Sequence, residues 1–205
     1  MTAKLFAEST TPEALATEPA QRSTGWWGMV GFVTTEAALF AVLLGTFFYL
    51  RFQHGSRWPP EEIERPELVV PLIMTAVLLP SSLPVIWAER GIRRGQLWRL
   101  RLGLAATLVM GLTFLTLQAF EYRIKLHEFT VTTDVFGSLF YTITGFHGLH
   151  VAVGLLILSW VLAASMRGSF SARKHEGVRL AAIYWHFVDV VWVAILFTVY
   201  LSQHL

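Results

Sequence analysis

The sequence contains no cysteine and few charged residues. Charged residues make up 15% of its 205 residues, whereas hydrophobic residues make up 54%. The absence of cysteine excludes disulfides, thiolate chemistry, Cys-ligated zinc and iron–sulfur clusters. A soluble domain carries about 25% charged residues, so the shortage of charge indicates an integral membrane protein.

Charge and the first residues exclude two further classes. The formal net charge is only +2, and the basic residues lie between apolar runs instead of forming one patch. This pattern excludes a nucleic-acid-binding protein. Residues 1–23 are rich in Ser, Thr, Pro, Glu and Ala, and no apolar core follows a basic start. We therefore predict a flexible, polar, cytoplasmic N-terminal arm and not a cleaved signal peptide.

Five apolar stretches are long enough to cross a membrane as helices, which needs about 20 residues each. They are too long and too uniformly apolar for the strands of a barrel. We predict an all-α, polytopic bundle of five transmembrane helices that forms a single domain over residues 24–205. Pro71, Pro80 and Pro84 predict that the second span is kinked or begins late. The predicted spans are Trp26–Leu50, Leu68–Trp87, Leu100–Phe120, Val135–Ala164 and Val178–Leu201.

The connections differ in their content of Lys and Arg. Eleven of these residues fall in the arm and the second and fourth connections, and five fall in the first and third connections. The positive-inside rule then places the N-terminus in the cytoplasm and the C-terminus outside. We expect the membrane to be that of a prokaryotic cell.

Three of the spans carry ionisable residues near their centres. Glu36 lies about ten residues, or roughly 15 Å, into the first span. His147 and His150 lie three apart in the fourth span, and His186 and Asp189 lie three apart in the fifth. A spacing of three puts each pair on one helix face. Because a charge at mid-membrane costs roughly 2.5–3.5 kcal/mol and usually pairs inside a bundle, we predict a buried polar network.

Other chemistry remains open for these five residues. Three His and two acids have the donor types of a metal or haem site, although a spacing of three is not specific for one. An intramembrane acid such as Glu36 also marks proton relays. A site for a lipid or quinone head group is the remaining alternative.

A second set of residues is predicted from position in the spans. Trp58 stands in a Trp-Pro-Pro turn, and Glu121 and Arg123 stand at the outer end of the third span. Tyr184 and Trp185 are amphipathic aromatics, a type enriched at membrane–water boundaries. All five are candidates for interfacial or lipid contacts.

Several motifs together resemble subunit III of the haem-copper terminal oxidases, the cytochrome c and quinol oxidases. They are G-F-V-T-T-E-A-A-L-F-A, R-W-P-P, L-Q-A-F-E-Y-R, G-S-L-F-Y-T-I-T-G-F-H-G-L-H-V and Y-W-H-F-V-D-V-V-W-V. The resemblance covers residues 25–203, and the two histidine motifs in combination are its most specific part.

The resemblance implies an accessory role in an aerobic respiratory complex that reduces oxygen to water and translocates protons. Such a subunit carries no haem, copper or catalytic centre; subunit I holds the oxygen chemistry and electrons enter through subunit II. It packs mainly against subunit I and supports sustained turnover, proton uptake and an oxygen route lined by bound phospholipid. The acid matching Glu36 and the histidines matching His147, His150 and His186 are features of this family, which favours the polar network.

The chain departs from the longer members of that family, which have seven spans. It matches only the last five. Either the lipid cleft that the two other helices form in longer members is open here, or another chain, such as an extended subunit I, supplies those helices. Cytochrome c and quinol remain equally open as electron donors. Two alternatives are a subunit-III-like partner of a nitric oxide reductase and a self-standing membrane protein that binds a cofactor or carries protons.

Overall fold

The computed structural model describes residues 23–55, 58–60 and 67–204, in which five helices are long and apolar enough to cross a membrane. The all-α, five-span prediction is confirmed. The predicted arm lies outside the described residues except for Ser23. The spans are formed by α1 (Thr24–His54), α2 (Val69–Leu78) with α3 (Ser82–Arg93), α4 (Leu97–Lys125), α5 (Val135–Met166), and α6 (Glu176–Ile195) with its extension to His204.

The second span is broken, as its prolines predict. A short 3-10 turn, Leu79–Ser81, separates α2 from α3. Proline has no N–H and its ring clashes with the preceding turn of an α-helix, which places the break at Pro80. Pro71 and Pro84 stand third in α2 and α3, where a missing N–H costs no helical hydrogen bond.

Side-chain caps mark two of the helix starts. The Ser23 hydroxyl accepts from the Trp26 N–H at the start of α1, and the Asp134 carboxylate accepts from the Gly137 N–H at the start of α5. Each cap satisfies a backbone donor that has no partner within its helix. The positive φ of Gly55, 55°, ends α1.

Helix α6 lies at the centre of the bundle and packs against α1, α3 and α5. It continues as a π turn, Leu196–Tyr200, and a 3-10 turn, Leu201–His204. In the most apolar 18-residue stretch of this span, 61% of the residues are buried, against 11% in α1. Because α1 buries so little, its position depends on a few contacts.

Candidate functional site

Glu36 and His150 form a pair between α1 and α5. His150 Nε2 lies 3.0 Å from Glu36 Oε2, and His150 Nδ1 lies 2.5 Å from the carbonyl oxygen of Phe146. A carbonyl only accepts, so Nδ1 carries a proton and donates it to Phe146. The Glu36 side chain is 25% exposed, so the pair lies at the edge of the bundle and not at its centre.

This geometry fixes what the pair can do chemically. With Nδ1 protonated, a neutral imidazole has a bare lone pair at Nε2, and Glu36 must then donate the shared proton. The other state is imidazolium with carboxylate. The pair therefore holds one proton between Nε2 and Oε2. The Tyr184 hydroxyl donates to the His150 carbonyl at 3.1 Å, which ties α6 to the same turn of α5.

A second cluster joins α3 to α6 through a serine. The Ser82 hydroxyl donates to Asp189 Oδ2, and its oxygen lies 2.7 Å from His186 Nδ1. Because the single hydroxyl proton goes to Asp189, the serine oxygen accepts from His186 Nδ1–H. Asp189 is buried, and its Oδ1 has no hydrogen-bond partner among the described residues.

His147 is fully buried and neither of its ring nitrogens has a hydrogen-bond partner in the described part of the chain. Aromatic rings surround it instead. Trp192 stacks on it with 5.2 Å between ring centroids, and Phe114 meets it edge-on at 5.7 Å. Its surroundings are those of a core side chain.

The structure therefore divides the five-residue set predicted from sequence. It brings Glu36 together with His150, bridges His186 to Asp189 through Ser82, and leaves His147 among aromatic rings. His147 and His150 do share one side of α5, as their spacing predicts, and both meet the Phe40 ring of α1. They differ in their polar contacts: His150 pairs with Glu36, whereas His147 meets rings of α1, α4 and α6. No hydrogen bond among the described residues joins the two clusters directly.

The lipid-contact expectation is corrected for Tyr184 and Trp185. Both side chains are buried inside the bundle, at 1% and 0% exposure. The Trp185 indole N–H donates to the Ser81 hydroxyl at 2.9 Å, so its polar edge finds a partner within the protein and needs no water.

Trp58 and Glu121 also lie further inside than an interfacial position implies. Trp58 is buried, with its ring 5.5 Å from Phe47 and 5.5 Å from Phe136. Glu121 is buried, and the Tyr200 hydroxyl lies beside its carboxylate. Arg123 is exposed at the end of α4, where contact with the membrane surface is open to it.

Hydroxyl groups in the second span are the functional residues that sequence reasoning missed. Besides Ser82, the Ser81 hydroxyl accepts from Trp185 and the Thr75 hydroxyl accepts from the Trp192 indole N–H at 2.9 Å. The signal was present, because Ser81 and Ser82 follow Pro80 directly in an otherwise apolar run. Which helix would meet them depends on helix rotation, which a sequence pattern does not give.

Within the described ranges, no three His, Asp or Glu side chains are grouped so that they could hold a metal ion. The polar residues instead form separate contacts between neighbouring helices. Glu36 with His150 joins α1 to α5 at the edge of the bundle, and Ser82 with His186 and Asp189 joins α3 to α6.

Comparison with known proteins gives a consistent family. The family model for cytochrome c oxidase subunit III matches residues 6–203. The chain is 41% identical over 172 residues to cytochrome c oxidase subunit 3 of Thermostichus vulcanus, covering 83% of each chain. It is 38% identical to the subunit 3 proteins of Drosophila yakuba and Cyprinus carpio, covering 85% and 90% of this chain and 68% and 71% of theirs. Together with the five-span fold, these matches show that the chain belongs to the cytochrome c oxidase subunit III family of the haem-copper oxidases.

Proposed function

We propose that this subunit acts inside the oxidase as a support for the redox subunits and carries no catalytic centre of its own. It would stabilise subunit I, assist its proton uptake and help to shape the route for oxygen and lipid. The observation that carries the proposal is the Glu36–His150 pair, because it holds one proton at mid-span depth and at the edge of the bundle. A proton held there is available to a neighbouring subunit and not only to this one.

The partners follow from the same proposal. Subunit I is the main contact and subunit II a further partner, with haem and copper held in those chains. Membrane phospholipid binds at the exposed faces, which display many large apolar side chains such as Leu156 and Trp160. Cytochrome c is the proposed electron donor of the complex, since the relatives bear the name cytochrome c oxidase; quinol is the alternative.

The proposed setting is a prokaryotic cell membrane with the N-terminus in the cytoplasm and the C-terminus outside. Its support is the excess of Lys and Arg in the arm and in the second and fourth connections. The comparisons do not favour a nitric oxide reductase partner or a self-standing cofactor protein.

The first test is purification of the tagged chain in a mild detergent, with an optical spectrum and mass spectrometry of the eluate. The proposal expects haem-bearing oxidase subunits to accompany the chain, and the chain separated from them to be colourless. A chain that purifies alone, or that keeps a haem spectrum after separation, would overturn it.

A second test separates the role of the proton pair from that of packing. Glu36→Ala should leave the haem spectrum of the complex unchanged but shorten the period over which turnover is sustained. Glu36→Gln is the matched variant, since it keeps the size and a hydrogen bond but not the carboxylate. Unchanged subunit retention and unchanged endurance in both variants would count against the proposed role.

A further inference from the structure

One face of α6 stays exposed although α1, α3 and α5 pack against this helix. Here the α6 strip means His186, Val190, Val193 and Phe197, which repeat at intervals of four, three and four and so share one helix face. Val190 is 69% exposed, and Val193 and Phe197 are also exposed, although the rest of α6 is the most buried part of the bundle. Helices α1 and α3 both pack against α6, and the strip is part of the α6 surface that they leave exposed.

His186 puts a polar atom in this otherwise apolar strip. Its Nδ1–H donates to Ser82, whose own proton goes to Asp189. The neutral ring therefore presents the lone pair of Nε2, an acceptor, on its other side. His186 is half-buried, and Nε2 has no hydrogen-bond partner among the described residues while remaining accessible at the surface.

Several polar side chains on exposed faces of the spans are satisfied within their own helix. The hydroxyls of Thr34, Thr113 and Thr116 each donate to the carbonyl four residues earlier in the same helix, at 2.8–2.9 Å. They can face lipid without a further partner. His186 lies about ten residues into its helix, roughly 15 Å, where acyl chains offer no donor and an unpaired polar group costs free energy.

We propose that a transmembrane helix of a redox subunit of the oxidase packs on the α6 strip and donates a hydrogen bond to His186 Nε2. The donor is a side-chain hydroxyl, amide or indole N–H at mid-membrane depth, the groups that can donate without carrying charge. Val190, Val193 and Phe197 supply the apolar contact around it. The inference rests on the proposed function, since it needs the companion subunits, and it adds which face of this subunit meets them.

The direct test is photocrosslinking in the assembled complex in its own membrane. Val190→p-benzoylphenylalanine places the probe on the strip, and Leu156→p-benzoylphenylalanine places it on the outer face of α5, where Leu156 is 71% exposed. We expect a covalent adduct with a redox subunit from position 190. Two results would overturn the inference. One is that the probe at position 190 forms adducts only with lipid or quinone. The other is that the probe at position 156, and not the one at position 190, forms the adduct with a redox subunit. If no redox subunit is present in the unirradiated complex, the proposed function fails instead.

A hydrogen-bond test complements the mapping. His186→Leu removes the acceptor, whereas His186→Gln retains an acceptor close to the position of Nε2. We expect the leucine variant to lose the redox subunits about threefold faster in detergent, the effect of one average hydrogen bond between membrane helices, and the glutamine variant to behave like the parent. Thr113→Val is the matched control, since its hydroxyl bonds within its own helix. If the leucine variant and the parent retain the redox subunits equally, the proposed hydrogen bond is contradicted. If the leucine variant fails to fold, crosslinking from position 190 still tests whether the strip is the contact face.

Discussion

Helices α1 and α6 both cross the bilayer, but they are held in the bundle by different means. In the most apolar stretch of α6, 61% of the residues are buried, and those residues include the large rings of Trp185 and Trp192. The corresponding value in α1 is 11%, and its buried residues are Phe40 and Phe47. Packing therefore positions α6, whereas α1 depends more on one polar pair, Glu36 with His150. Where apolar packing is sparse, a hydrogen bond at one depth sets the register of a helix.

The largest effect should come from removing a ring at the centre of α6. We expect Trp185→Ala to destabilise the subunit by about 3–5 kcal/mol, because it leaves a cavity and strands the Ser81 hydroxyl. Unfolding in a denaturing detergent measures it. Trp27→Ala is the control in α1, where the ring is 62% exposed and the change should stay within about 0.5 kcal/mol. Similar losses in both variants would remove the contrast between the two helices.

Adding one methyl group should change the free energy of unfolding in opposite directions in two helices. It should destabilise the subunit at a packed position of α4 and stabilise it at an open position of α1. A Cβ on Gly111 would lie 2.6 Å from Leu155 Cδ2 and 2.7 Å from Trp185 Cη2, whereas a Cβ on Gly45 in α1 would meet nothing within 4 Å. We expect Gly111→Ala to cost about 1–3 kcal/mol by overpacking. Gly45→Ala should stabilise by up to about 1 kcal/mol through its helix propensity. The same unfolding assay tests both, and a loss at position 45 would show that α1 is packed more tightly than its exposure indicates.

The hydrogen-bonded pair Glu36–His150 should appear as an energetic coupling between these two residues. In a double-mutant cycle of Glu36→Ala and His150→Ala, we expect a coupling energy between about 0.6 and 1.7 kcal/mol, the average and the maximum found for hydrogen bonds between membrane helices. Since the chain has no cysteine, a single cysteine introduced at position 42 on the exposed face of α1 can report helix movement by its labelling rate. Purely additive losses and unchanged labelling would mean that the pair does not hold α1.

The smallest effect is expected at the link from α6 to the same turn of α5. Tyr184→Phe removes the hydroxyl that donates to the His150 carbonyl, at a cost of about 0.5 kcal/mol. The ring stays in place, so packing is retained. If the free energy of unfolding falls by more than about 1.5 kcal/mol, the Tyr184 hydroxyl also orders the His150 side chain.

Much of the fold could be predicted from the sequence because each span is long, apolar and bounded by polar connections. The break near Pro80 was also predictable, since proline acts locally on its own helix. Pairing between helices was harder. A spacing of three places His186 and Asp189 on one face, but the sequence does not state which helix that face meets, so the part played by Ser82 was missed.

Residue-type tendencies misled where the protein provides its own partner. Trp185 belongs to a residue type that favours the boundary of the membrane, yet its N–H is satisfied by Ser81 deep in the bundle. His147 was grouped with the polar residues, yet it fills a space between aromatic rings of α1, α4 and α6. In both cases tertiary packing decided the environment, and packing depends on contacts between residues far apart in sequence.

The π turn at Leu196–Tyr200 has a consequence for how this helix tolerates length changes. A π turn accommodates an extra residue within a helix, and each residue of an α-helix turns the chain by about 100°. Because the turn takes up the extra residue locally, deleting one residue there would restore a regular helix and change mainly the turn itself, which ends at Tyr200. The part of α6 before the turn would keep its contacts with α3 and α5. A one-residue deletion should therefore be tolerated better in this segment than in the middle of α6.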